Sequence, residues 1–151
     1  SCIAMANTKF KSFLNSLVGW LRSDATLVAL LGGDTTRIAV ESSLYEFDVP
    51  CLILENIFHS PMSEDSDTGL YVAELTCAAF AETRADALVI IGQISELAKQ
   101  KTTMFDASFK DAVIQTESLR AIGESPGSLI ETERGTGRAS IRLRITCREV
   151  S

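Results

Sequence analysis

Apolar residues near the N-terminus of the chain recur at the helical period. Thr8 is a candidate N-cap. After it, apolar side chains follow at Phe10, Phe13, Leu14, Leu17, Val18 and Leu21. This spacing predicts an amphipathic helix with one apolar stripe. Ser23 and Asp24 then interrupt the stripe, and either side chain can cap a short second helix. Gly32 and Gly33 predict where that second helix ends.

From residue 37 onward the apolar spacing changes to that of strands. Residues 37–40 predict a short edge strand, and residues 50–58 predict a buried strand that begins with a proline. A long strand is predicted over residues 70–82, where alternate positions are apolar. A further strand is predicted over residues 111–120. The polar segment 60–69 separates two of these strands and is predicted to be a loop.

The last predicted strand, residues 138–149, has the clearest pattern in the chain. One set of alternate side chains is apolar: Ala139, Ile141, Leu143, Ile145 and Cys147. The other set is polar: Arg138, Ser140, Arg142, Arg144, Thr146 and Arg148. This period-two alternation is typical of an antiparallel strand that has one covered face. Residues 123–137, which precede it, are predicted to form a long loop.

A second long helix is predicted to begin after Thr83. Its apolar positions have helical spacing, at Ala87, Ile90, Ile91, Ile94, Leu97 and Ala98. The order of elements predicts an α+β fold, with a mostly antiparallel sheet of four to five strands and two main helices packed on one face. We expect one domain over residues 8–151, preceded by a flexible N-terminus, residues 1–7. Met5 is a candidate initiator, with residues 1–4 left over from an expression vector.

Composition and charge narrow the class of protein. The chain has 151 residues, of which 46% are hydrophobic and 23% are charged, values that indicate a globular domain. Its net charge of −6 argues against a general nucleic-acid-binding protein. The charge is uneven, however. Residues 41–86, here called the acidic region, hold ten acidic residues and one basic residue, whereas residues 134–148 hold five arginines and no acid.

Residues that carry chemistry in other proteins form no recognisable site in this sequence. The four cysteines include no C-x-x-C pair, which argues against zinc or redox chemistry and favours reduced thiols. His59 is the one histidine, and a solvated histidine at a strand end is favoured over a general base. The acidic cluster at 64–67 lacks the calcium-loop pattern. The glycine clusters at 32–33 and 135–137 match no phosphate-binding motif. We therefore predict no enzyme, no metal and no cofactor.

The arginines of the last strand are the candidate interaction site. Together Arg138, Arg142, Arg144 and Arg148 are called the arginine row below, and alternate residues of a strand lie ~6.8 Å apart. In one interpretation the row pairs within the chain with Glu74, Glu82 or Glu117. In another it meets the acidic region of an identical neighbour, a head-to-tail contact that can close into a ring. Contact with phosphates at a lumen is a third. The predicted interaction residues are Arg138, Arg142, Arg144, Arg148, Glu74 and Glu82.

Several segments taken together resemble the tail terminator (tail completion) proteins of long-tailed bacteriophages and phage-like particles. These segments are LRSDATLVALLGG at 21–33, the short RIAV that follows, VPCLILENI at 49–57, AAFAETRADALVIIGQISELA at 78–98 and GTGRASIRLRITCRE at 135–149. The resemblance covers most of the chain from Phe10 onward. It implies a virion structural protein without catalytic residues.

The resemblance also implies partners and a location. Such proteins form a six-membered ring on the tail tube, stop its growth and offer a surface to the head-side connector. The implied partners are further copies of this chain in a homohexamer, the tail tube protein and the connector protein. Genomic DNA would pass through the lumen without sequence-specific binding, and no membrane is involved. The implied location is the head-proximal end of the tail, after assembly in the host cytoplasm. The alternatives are a head–tail connector or neck subunit and a small α+β ligand-binding domain or enzyme.

Overall fold

The computed structural model describes residues 2–41, 48–60, 70–99, 109–116, 120–121 and 137–149. The helices are α1 (Cys2–Arg22), α2 (Ala25–Leu30) and α3 (Arg84–Lys99), with a 3-10 turn at Thr35–Arg37. The strands are β1 (Ile38–Val40), β2 (Cys51–Ser60), β3 (Leu70–Ala81), β4 (Phe109–Thr116), β5 (Arg120–Ala121) and β6 (Gly137–Glu149). The predicted loops lie outside these residues, apart from Ser60 and Gly137 at their ends.

The helix boundaries follow from local capping. Asp24 is the N-cap of α2, and its Oδ2 accepts hydrogen bonds from the backbone N of Leu27 at 2.8 Å and from Nε2 of Gln93 at 3.0 Å. One carboxylate therefore caps α2 and also joins it to α3. Gly32 and Gly33 have φ values of 79° and 80°, the left-handed conformation that ends a helix at little cost for glycine.

Three helix starts were predicted, and one of them was misplaced. Thr83 caps α3 as predicted, since its Oγ1 accepts a hydrogen bond from the backbone N of Asp86 at 3.1 Å. By contrast, α1 begins at Cys2 and not after Thr8, so residues 2–7 are part of the helix. Nothing in the sequence before Thr8 breaks a helix, because alanine and methionine are strong helix formers.

The strands form one mixed sheet with the order β1-β2-β3-β6-β4, and β5 also pairs with β6. β1 runs parallel to β2, and the other pairs are antiparallel. The longest pairing runs from Leu70 opposite Arg148 to Ala81 opposite Gly137. The α+β class, the mostly antiparallel sheet and the edge position of residues 38–40 are therefore confirmed.

All three helices pack against the same face of the sheet. The core includes Phe13, Leu17 and Leu21 of α1, Leu27 of α2, and Ile90, Ile91 and Ile94 of α3. Against them lie alternate side chains of β3 and of β6: Tyr71, Ala73, Leu75, Cys77, Ala79, Ala139, Ile141, Leu143, Ile145 and Cys147. The apolar sets predicted for residues 70–82 and 138–149 are thus the buried ones. None of the described helices is long and apolar enough to cross a membrane.

Gly137 allows two backbones to approach closely where β6 begins. A Cβ atom at this position would overlap the backbone of Thr83 and Arg84, at the start of α3. Gly137 pairs with Ala81 at the end of β3. The absence of a side chain therefore lets the chain turn from β3 into α3 directly over the start of β6.

We expect Leu143→Ala to lower the free energy of unfolding by ~2–5 kcal/mol, because Leu143 is fully buried in the middle of β6. Urea denaturation of both proteins measures the change. Val113→Ala is the control, since Val113 on β4 is 59% exposed and should change stability by no more than about 0.5 kcal/mol. Equal effects of the two substitutions would contradict the placement of Leu143 in the core.

Gly137→Ala should destabilise the protein by about 1–3 kcal/mol or more, because the added methyl group forces two backbones apart. The matched control is Gly92→Ala in α3, where a Cβ atom meets nothing within 4 Å. That control should be stabilising by roughly 0.5–1 kcal/mol, since alanine is the better helix former. Thermal melts of the two variants should therefore shift in opposite directions, and a neutral Gly137→Ala would refute the close approach.

Candidate assembly interface

The sheet face opposite the helices carries the arginine row and Glu74, and it is called the open face below. The alternation of β6 places the arginine row there, because its apolar neighbours face the helices. On β3 the residues of this face include Glu74 and Thr76, which lie directly opposite Arg144 and Arg142. The structure therefore brings the row beside acidic and hydroxyl side chains of the neighbouring strand.

Arg138 has the most enclosed of these contacts. Its Nη2 donates to Oε1 of Glu55, two strands away on β2, at 2.5 Å. The two side chains are 18% and 30% exposed, so water screens this pair less than a surface pair. The guanidinium carbon also lies 5.5 Å from the ring centroid of Phe80 on β3, within the range of a cation–π contact. Arg138 thus ties β6 to β2 across β3.

Arg142 contacts three different side chains on the open face. Its Nη1 donates to Oγ1 of Thr76 at 3.1 Å, and its Nη2 lies 3.6 Å from Oε2 of Glu74. The guanidinium carbon lies 5.9 Å from the ring centroid of Phe58 on β2. Because Arg142 combines a hydrogen bond, an ion pair and an aromatic contact, it is held in one position.

Arg144 and Arg148 are less constrained. Arg144 is half exposed, and its Nε lies 3.9 Å from Oε1 of Glu74, a carboxylate that Arg142 also contacts. Arg148 is exposed and forms no ion pair with any side chain in the described ranges. The arginine row is therefore matched by only two described glutamates, Glu55 and Glu74. Among the described residues, positive charge is therefore left over at the end of β6, where Arg144 and Arg148 lie.

Of the acidic partners that we predicted, Glu74 pairs with the arginine row, whereas Glu82 does not in the described residues. Glu74 pairs with Arg142 and Arg144. Glu82 follows the end of β3, is exposed, and forms no ion pair with the described part of the row. Glu117 lies outside the described residues. Glu55 was missed because it sits in a run of apolar residues that we interpreted only as a buried strand. Its role becomes visible only from the register of β2, β3 and β6.

A β-bulge in β2 changes which side chains reach the open face. Glu55 pairs with Thr76 and Phe58 pairs with Glu74, so two residues, Asn56 and Ile57, lie opposite one residue of β3. Asn56 has φ 51°, a left-handed value that asparagine tolerates better than most residues. The bulge turns Ile57 toward the core and leaves Phe58 on the open face, 65% exposed. Phe58 was predicted to be part of a buried strand, and this prediction was wrong.

The open face has a second, apolar zone beside the start of β6. It consists of Cys51, Ile53, Ala78 and Phe80, which form a cluster separate from the main core. None of these side chains is more than 5% exposed. The charged and accessible part of the open face is therefore limited to the other end of the strands, around Phe58, Glu74 and Arg144.

A groove separates α1 from the edge strand β1. Its volume is about 500 Å³, and its walls include Leu14, Val18 and Ile38, with Lys11 and Arg22 among the lining residues. Nη2 of Arg22 donates to the backbone O of Ile38 at 2.8 Å, so one acceptor of the β1 edge is occupied. Groups of three or more metal-ligating side chains are absent from the described part of the chain. The side chain of His59 lies outside it.

A scan against protein-family models finds no match to this chain, and a search of curated protein sequences finds none either.

The cysteines give a prediction for alkaline pH. Cys51, Cys77 and Cys147 are buried thiols. Burial, together with the nearby charge of Glu55, raises the pKa of Cys77 from 9.0 to about 12. A raised pKa in the folded state contributes stability below pH 9, and this contribution is lost as the pH rises toward 12. We expect unfolding titrations to show this fall, and Cys77→Ala to reduce it.

The same thiols should be protected from alkylation at neutral pH while the chain is folded, and all four cysteines should react after unfolding without reductant. Mass spectrometry of the alkylated chain counts the modified residues. A disulfide found in the unfolded sample would contradict the expectation of reduced thiols.

Proposed function

We propose that the chain is a ring-forming tail terminator, a virion structural protein that caps the tail tube and joins it to the head-side connector. The supporting observation is the surplus of arginine on the open face of an otherwise acidic chain. Four arginines lie on this face with two described glutamates, whereas the net charge of the whole chain is −6. The surface therefore has two regions of opposite charge, and one copy can bind the next through them.

Two different complementary surfaces on one subunit favour head-to-tail assembly. A contact of this kind gives a closed ring when its rotation closes, and an open filament when it does not. The acidic partner surface proposed here includes Glu82 and Asp86, which are exposed at the junction of β3 and α3. Both belong to the acidic region, and neither pairs with the arginine row in the described residues. They remain available to a neighbouring copy.

The resemblance described above supports the more specific parts of the proposal. A homohexamer would sit at the head-proximal end of the tail, with the tube protein on one side and the connector on the other. Genomic DNA would pass through its lumen without sequence-specific contacts.

Charge reversal tests the proposed contact. Arg144→Glu with Arg148→Glu should prevent ring formation, because the open face of each copy would then repel the acidic surface of the next. Arg142 is left unchanged, since it also holds Thr76 and Phe58. Glu82→Lys with Asp86→Lys should also prevent assembly, because the reversed surface would then repel the arginines of the next copy. Native mass spectrometry measures ring formation, and circular dichroism confirms that both variants fold.

Mixing the two variants in equal amounts tests whether the two reversed surfaces restore the contact. Each reversed surface would then meet the oppositely reversed surface of the other variant, and each native surface would meet a native one. The mixture should therefore form rings of even number in which the variants alternate. Rings formed by either variant alone would show that these charges do not make the contact. Addition of purified tail tubes, followed by electron microscopy, tests whether the rings bind the tube end.

A further inference from the structure

The groove between α1 and β1 is basic, although the chain as a whole is acidic. Lys11 and Arg22 are the first and the last residues of α1 that line it, and Leu14 and Val18 lie between them. None of the described lining residues is acidic, and α1 contains no aspartate or glutamate, whereas the net charge of the chain is −6. Neither Lys11 nor Arg22 forms an ion pair with a side chain in the described ranges. Both charges are therefore available to a ligand.

The spacing of the lining residues places an apolar wall between the two cations. Positions 11, 14, 15, 18, 19 and 22 recur at the helical period, so they form one face of α1. Along the helix axis Lys11 and Arg22 are ~16 Å apart, because each residue adds about 1.5 Å. An extended segment of about five residues covers this distance. The groove is thus long enough for a short peptide that carries one carboxylate near each end.

Gly19 keeps part of the groove open. It is exposed, and a Cβ atom at this position would meet no atom within 4 Å. Alanine is a better helix former than glycine, so the stability of α1 alone would favour a side chain here. The fold does not require glycine at this position, since its φ is not in the left-handed region and no backbone approaches it. The space beside Gly19 therefore belongs to the groove.

The backbone of β1 offers little to a ligand at Ile38. The backbone N of Ile38 donates to the backbone O of Thr35, and its O accepts from Nη2 of Arg22 at 2.8 Å. Strand addition is blocked at this residue, because both of its polar groups are used within the chain. Arg22 is exposed, and a guanidinium group has further N–H donors for a carboxylate. Leu14 and Val18 disfavour a nucleic-acid backbone, which presents phosphates and no apolar group to them.

A second copy of this chain fits the groove poorly. Its α3 carries Val89 between Asp86 and Glu96, and all three side chains are exposed. However, Oε1 of Glu96 already accepts from Nζ of Lys99 at 3.1 Å. Asp86 belongs to the acidic surface that the proposed ring contact uses. The charges and apolar side chains of the groove are therefore better matched by a different protein.

We propose that this groove binds an extended segment of a different protein, about five residues long, that places apolar side chains between two carboxylates. The carboxylates pair with Lys11 and Arg22, and the apolar side chains pack on Leu14, Val18 and Ile38. The groove shares no residue with the proposed contact between copies, so the inference goes beyond the proposed function. Each copy then has a separate surface for a protein other than itself.

The probe is a fluorescein-labelled synthetic peptide in which two leucines alternate with two serines between terminal glutamates. A second peptide carries lysine in both glutamate positions. Fluorescence anisotropy should show that the original chain binds the acidic peptide roughly tenfold or more tightly than the lysine peptide. Gly19→Leu fills the groove and should weaken this binding by a similar factor. The matched control is Gly92→Leu on α3, where a Cβ atom also meets nothing within 4 Å, and it should bind like the original chain.

Charge exchange at Lys11 gives a second, independent measurement. Lys11→Glu should weaken binding of the acidic peptide, because two negative charges would then face each other at one end of the groove. The same variant should bind more tightly a peptide in which one terminal glutamate is replaced by lysine. Arg22 is left unchanged, since it also holds the backbone O of Ile38.

The outcomes separate this inference from the proposed function. Equal binding of the acidic and lysine peptides, or of the original chain and Gly19→Leu, would overturn the inference and leave the ring proposal unaffected. If Gly19→Leu stops the chain from assembling while Gly92→Leu does not, the occupant is a second copy and the inference is wrong. Displacement of the acidic peptide by a short DNA duplex would assign the cations to phosphates and would also overturn it. Where thermal melts show that Gly19→Leu is unfolded, the exchanged preference of Lys11→Glu decides the case.

Discussion

The alternation of side chains along β6 is the constraint on which the rest of the structure depends. β6 pairs with β3, β4 and β5, so it is the strand to which much of the sheet is attached. On one face of β6, every side chain from Ala139 to Cys147 is buried. A shift of register by one residue would place the arginine row under the helices, where unpaired charge is very costly. The chemistry of the strand thus determines which face the helices cover and which face stays available.

That constraint also explains how far the sequence could predict the fold. The faces of β6 and the apolar stripe of α3 were predictable because each pattern has one clear period over many residues. The caps at Asp24 and Thr83 were predictable because short polar side chains precede those apolar patterns. The start of α1 was not, since Thr8 has a capping side chain but the residues before it are equally compatible with a helix.

The candidate site was less predictable than the fold, for a physical reason. The sequence shows that four arginines share a strand face, but it does not show which residues lie opposite them. Arg138 pairs with Glu55 across an intervening strand, which requires the register of three strands. Phe58 reaches the open face only because two residues of β2 oppose one of β3. A bulge is a property of a strand pair, so a single strand's period does not reveal it.

The close approach at Gly137 has a consequence for how this domain can vary. It brings the start of β6 against the start of α3, although these points are far apart in the sequence. Neither side of this contact includes the residues that join α3 to β4 or β5 to β6. Lengthening the chain between two fixed points costs little, since the entropy of closing a loop grows only with the logarithm of its length. Insertions of several residues there should be easier to accommodate than one methyl group at Gly137. A single carbon atom added at Gly137 therefore limits this domain more than several residues added to a connection would.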